Sequence, residues 1–146
     1  MLAERRAIGH SVRVVVELEV CTWHGSGHDS RVLVDPSDDQ IKNAIRRLNG
    51  ADRNDLYLRD AEGAWMGIAV GPDRVIVTFA ASEDGPFSQA IDATVPSEPE
   101  VEIVVGGQMV TQPPSQLFDV SVASGVACEF ARTGLRSTAV AWTDAR

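Results

Sequence analysis

Lysine is nearly missing from this 146-residue chain, in which Lys42 is the one lysine beside twelve arginines. Cysteine is scarce too: Cys21 and Cys128 lie far apart, which excludes the multi-bridge framework of small secreted domains. No apolar run is long enough to cross a bilayer. The first one, Val12–Val20, is broken by Glu17 and Glu19 and has charge at both ends, so MLAERRAIGHSVRVVVELEV reads as neither a secretory leader nor a membrane span. Histidine is confined to His10, His24 and His28, and no Gly-x-Ser-x-Gly elbow accompanies them. Gly25-Ser26-Gly27 and Gly106-Gly107 lack the strand–helix setting and the lysine of a phosphate-binding loop, so both read as turns. The chain therefore lacks an enzyme's usual constellation, and no cofactor is expected.

Positive charge is also missing from one long stretch. No Lys or Arg occurs between Arg74 and Arg132, and residues 51–104 hold 11 acidic against 3 basic residues. Residues 1–50 and 105–146 are each neutral, so this middle segment carries the whole formal net charge of −8. A nucleic-acid backbone or an anionic membrane needs a basic face, so neither is expected as a partner. A solvated acidic surface explains many such residues without any function. The same surface would also steer a cationic protein.

What is present reads as one domain over residues 1–146, with residues 1–11 as a flexible lead-in. Hydrophobic residues make up 44% and charged residues 23%, a globular composition. Val12–Val20 alternates as a strand with one buried face, Cys21–Ser30 reads as a Gly/His loop, and Arg31–Val34 as a short strand. Ser37 and Gln40 form a capping box, with Asp38 and Asp39 in the first turn. Ile41, Ala44, Ile45 and Leu48 then give a helix one apolar stripe, and Asn49-Gly50 stops it. Leu56-Tyr57-Leu58, Trp65–Val70 and Arg74–Ala80 form an antiparallel meander. Short strands follow at Phe87–Thr94, Glu100–Val105 and Gln108–Val110. Ser115 caps a second helix that ends at Gly134, and Ser137–Trp142 is the last strand. The expected fold is α+β: a mostly antiparallel sheet of about six to eight strands with two helices packed on one face.

The spacing Cys21-x2-His24-x3-His28, with Asp29 beside it, is the one metal-ligand candidate, and a weak one, because a glycine-rich loop does not pre-organise ligands. Cys128 reads as a small buried hydrophobe. Trp142 reads as core or rim. Trp65 fits either a core face or an exposed platform, and Trp23 in its loop would suit a binding anchor.

The order of elements resembles immunity protein family 1, small bacterial proteins encoded beside polymorphic toxins. The likeness rests on Asn54-Asp55-Leu56-Tyr57-Leu58, the hairpin through Trp65-Met66-Gly67-Ile68, and the Gly106-Gly107-Gln108 hairpin followed by proline and the last helix. It is completed by Phe130-Ala131-Arg132-Thr133-Gly134-Leu135-Arg136-Ser137 leading to Val140-Ala141-Trp142, and it runs from about Val32 to Trp142. The resemblance implies a non-enzyme that binds and blocks a cognate toxin domain, often a nucleic-acid deaminase; the scarce cysteines and the N-terminal reading above give the expectation of a cytoplasmic protein. Leu56, Leu58, Trp65, Phe130, Gly134 and Trp142 are matched positions of structural character, and no contact residue carries over from a motif. A toxin acting on nucleic acid needs a basic groove, which carboxylates can occupy. Glu83, Asp84, Asp92, Glu98, Glu100 and Glu102, with Phe87 as an apolar anchor, are the expected contacts. Alternatives are a secretion chaperone or adaptor for a basic effector, a structural subunit, and a small metal-dependent enzyme built on Cys21, His24 and His28.

Overall fold

The structure, a computed structural model, describes residues 14–105 and 108–144. The lead-in at 1–11, His10 and the Gly106-Gly107 turn therefore lie outside the described residues. Among the described residues ten strands and two α-helices follow one another as β1 (Val15–His24), β2 (Gly27–Val34), α1 (Asp38–Arg46), β3 (Asp55–Asp60), β4 (Trp65–Val70), β5 (Arg74–Ala80), β6 (Phe87–Ile91), β7 (Val101–Val105), β8 (Gln108–Gln112), β9 (Phe118–Asp119), α2 (Val120–Thr133) and β10 (Ala141–Asp144). The main sheet has eight strands in the order β10-β6-β5-β4-β3-β1-β2, with β9 pairing the start of β5, and every pairing is antiparallel. β7 and β8 form a separate hairpin. The fold class is the expected α+β, with both helices on one side of the sheet.

Strand alternation builds the core. Leu18, Leu58, Met66 and Phe79 sit opposite one another across β1, β3, β4 and β5, and all turn toward the helices. Against them α1 lays Ile41 and Ile45, with Leu48 just past its end, and α2 lays Val126, Ala127 and Phe130, the last fully buried and edge-on to Phe79. The α1 start is as read: Ser37 Oγ accepts from the Gln40 amide while Gln40 Oε1 accepts from that of Ser37. After Gly71, whose φ is +78°, the chain enters β5. A Cβ on Gly71 would lie 2.5 Å from the Leu48 carbonyl oxygen, so only glycine lets this turn meet the end of α1.

Four elements differ from the sequence reading. Cys21–Ser30 is not a loop. β1 runs on to His24 and β2 starts at Gly27, paired in register from Glu17 with Val34 to His24 with Gly27. Only Gly25 and Ser26 make the turn, Gly25 at φ +59°. Ser115 does not cap the second helix. Pro113-Pro114 opens a 3-10 turn, Phe118 first pairs with Val75, and the helix starts only after Asp119. The last strand begins at Ala141 instead of Ser137, since Ser137 is buried with its hydroxyl accepting from the Ala139 amide and its carbonyl from Trp142 Nε1. Phe87–Thr94 is shorter than expected and ends at Ile91, where Asp92 turns the chain by accepting from the amide and hydroxyl of Thr94.

Candidate functional site

An antiparallel sheet with one face packed on helices ordinarily shows a polar second face. Here that second face carries a row of aromatic rings. The register sets Glu17, Arg59, Trp65, Ala80 and Phe87 side by side across five strands, and beside them Glu19, Tyr57, Gly67, Thr78 and Gln89. Tyr57 meets Trp65 edge-on at 6.3 Å between ring centroids, and Trp65 meets Phe87 at 6.5 Å. Gly67 lies beneath: a Cβ there would fall 3.1 Å from Tyr57 and 3.3 Å from Trp65, so its absence lets both rings lie across β4. Phe87 is 38% exposed, and Val32 and Val34 on β2 present further apolar surface on this face.

Carboxylates fix this platform. Asp55 accepts from Trp23 Nε1 through one oxygen and from the Tyr57 hydroxyl through the other, both at 2.9 Å. Burial, followed by that carboxylate bond, pushes the Tyr57 phenol well above its ordinary range, so it stays a donor. Arg59 donates to Glu19 at 2.8 Å while its guanidinium lies 5.5 Å from the Tyr57 ring centroid. The Ser30 hydroxyl and then Arg59 hold the Glu19 carboxyl below its usual value.

The two ends of this face differ. At one end the β3–β4 turn, with Asp60 and Glu62, abuts the β5–β6 turn, since a Cβ on Gly63 would lie 3.6 Å from the Glu83 amide nitrogen. Glu83 and Asp84 sit exposed on that second turn, and Phe87 follows at the head of β6. Asp92 lies past the far end of β6, five residues and roughly 16 Å beyond Phe87 along the strand. Glu98 and Glu100 follow on an exposed stretch, and Glu102 on β7. Ile76 and Ala69 also point away from the helices, yet Ile76 is only 9% exposed, because it clusters with Val70 and Leu117 and with Ile103 of β7. The β7–β8 hairpin is thus moored at that end. The expected contacts do not form one contiguous patch: Glu83, Asp84 and Phe87 stand at one end of the platform, Asp92, Glu98, Glu100 and Glu102 at the other.

The candidate metal ligands do not converge. Cys21 is buried opposite Ser30, where desolvation followed by the Asp55 charge pushes its thiol up. His24 bonds Asp29 at 2.9 Å, and His28 stacks on Trp23 at 4.6 Å. Among the described residues no three His, Cys, Asp or Glu side chains form a ligand set. The paired-ribbon geometry is the reason, since it spreads along two strands what a loop could have gathered. Trp142 packs on Phe79 on the helix side, Cys128 is buried in α2, and Trp65 belongs to the uncovered face. Sequence reasoning named Phe87 but missed Tyr57, Asp55, Glu17 and Glu19. Their signal was strand alternation, which sorts residues by face only once register is known.

The family model for immunity protein Imm1 matches residues 28–144, and the chain belongs to that family. No curated protein sequence matches it.

Proposed function

We propose that this Imm1 family member binds and neutralises a cognate secreted toxin in the cytoplasm, laying its uncovered sheet face over the basic substrate groove of a nucleic-acid-targeting, deaminase-type domain. The family supports a toxin protein as partner. The placement rests on one observation, the Tyr57–Trp65–Phe87 row left uncovered between two acidic ends. Aromatic side chains bury large area at small entropic cost and are favoured binding anchors. The flanking carboxylates, Glu83 and Asp84 at one end and Asp92, Glu98, Glu100 and Glu102 at the other, complement a groove built for phosphates. Blocking by occupancy asks no chemistry of the inhibitor.

The test is co-expression with the toxin domain encoded beside it, followed by binding and toxin-activity measurements on the purified pair. Rescue of growth with loss of toxin activity in the complex is the expected result. Tight binding that leaves the toxin fully active would reduce the role to that of a carrier.

A further inference from the structure

On the helix side of the sheet, α1 leaves part of the β1–β2 ribbon uncovered. Ile41 and Ile45 point into the core, so the flank bearing Gln40, Asn43, Ala44 and Arg47 looks across a gap at Val20 and Thr22 of β1 and at Arg31 and Leu33 of β2. The gap is a cleft of about 380 Å³, with Arg53 closing it from the segment after α1. Its floor is aliphatic, made by Val20, Leu33, Ala44 and Leu48.

Three of the 13 basic residues of a chain with net charge −8 therefore line one cleft. Arg31, Arg47 and Arg53 have no carboxylate within 4.0 Å and no side-chain hydrogen bond among the described residues. Asp29, the one acid on the wall, is engaged by His24. Gln40 Oε1 is taken up by the helix cap, which leaves its amide nitrogen as donor, and Asn43 adds another. The cleft thus presents donors and positive charge over an apolar floor. Guanidinium groups are planar forks that match carboxylate and phosphate oxygens two at a time. The volume exceeds a single oxyanion and falls in the ~300–1,000 Å³ range of small-molecule sites. A polynucleotide would meet the net negative charge of the rest of the chain.

We propose that this cleft binds a small anion carrying two or more phosphate or carboxylate groups, held by Arg31, Arg47 and Arg53. The site is independent of the toxin-facing platform, which lies on the other face of the sheet.

The experiment is a calorimetric titration of the full chain with inorganic pyrophosphate, ADP and citrate, at low salt and at physiological salt. Saturable one-to-one binding of at least one of them is expected, weakening as salt rises. Whichever binds tightest identifies phosphate or carboxylate as the recognised group. Arg47→Ala should weaken binding roughly ten- to a hundred-fold, and Arg47→Lys should restore only part of it, because the charge returns without the fork. Arg46→Ala, one position earlier on α1 and outside the cleft, should leave the affinity unchanged, and thermal unfolding of each variant checks the fold. Absence of binding at millimolar concentration, or equal weakening by Arg46→Ala and Arg47→Ala, overturns the proposal.

Discussion

The two faces of the main sheet are made by the same strands and differ in everything else. Toward the helices, Leu18, Leu58, Met66 and Phe79 meet Ile41, Ile45 and Phe130 in one continuous core. Away from them, Glu17, Arg59, Trp65 and Phe87 stand in a row, with the Arg59–Glu19 ion pair and the rings at partial exposure. Under the proposed function, one alternation of period two separates stability from recognition: the first face would be replaceable only at the expense of folding, the second at the expense of binding.

The sharpest test of that division is a pair of phenylalanines. Phe130→Ala should destabilise the fold by about 3–5 kcal/mol, as expected for emptying a fully buried aromatic site, read from urea unfolding. Phe87→Ala should leave unfolding nearly unchanged yet weaken toxin binding by roughly 30-fold or more, read by calorimetry on the purified pair. A large stability loss from Phe87→Ala with unaltered affinity would collapse the distinction.

Charge gives a finer cut. Glu83→Lys with Asp84→Lys should slow association several-fold and flatten its dependence on salt, with little change in dissociation. Stopped-flow association rates at several ionic strengths measure it, and an unchanged rate argues against contact at this end of the platform. The same exchange at Glu98 and Glu100 reports on the opposite end.

The smallest effect belongs to the ion pair inside the platform. Because the Glu19 carboxyl is held below its ordinary value in the fold, its contribution to stability is present above the pKa of a free glutamate and is lost as pH falls through the folded value. Glu19→Gln should therefore cost under about 1 kcal/mol near neutral pH, as for a partly exposed pair, and the gap between the two proteins should close in acid. Unfolding curves across that range decide it.

Local signals made part of this legible from residues alone. The capping box at Ser37 and Gln40, the stripe through Ile41 and Ile45, and the meander from Leu56 to Ala80 depend on contacts near in sequence, and they are present as read. The β1–β2 ribbon misled because His24, Gly25, Gly27 and Asp29 resemble loop residues, while pairing with the neighbouring strand holds all but the turn extended. The second helix misled because Phe118 is drawn onto β5 before the helix can begin. At the candidate site Phe87 was visible beside its acidic turn. The partnership of Tyr57, Trp65 and Phe87 was not, since it needs the register of four strands at once.

The edge of the sheet beside Phe87 has a further consequence. β6 is flanked outward by β10, which arrives only after the β7–β8 hairpin and all of α2. The meander can zip up from neighbours, whereas this pairing must close a long loop, and such contacts form late in folding. During synthesis the outermost part of the platform therefore acquires its border late, so under the proposed function protection from a toxin should begin only once β10 has been made.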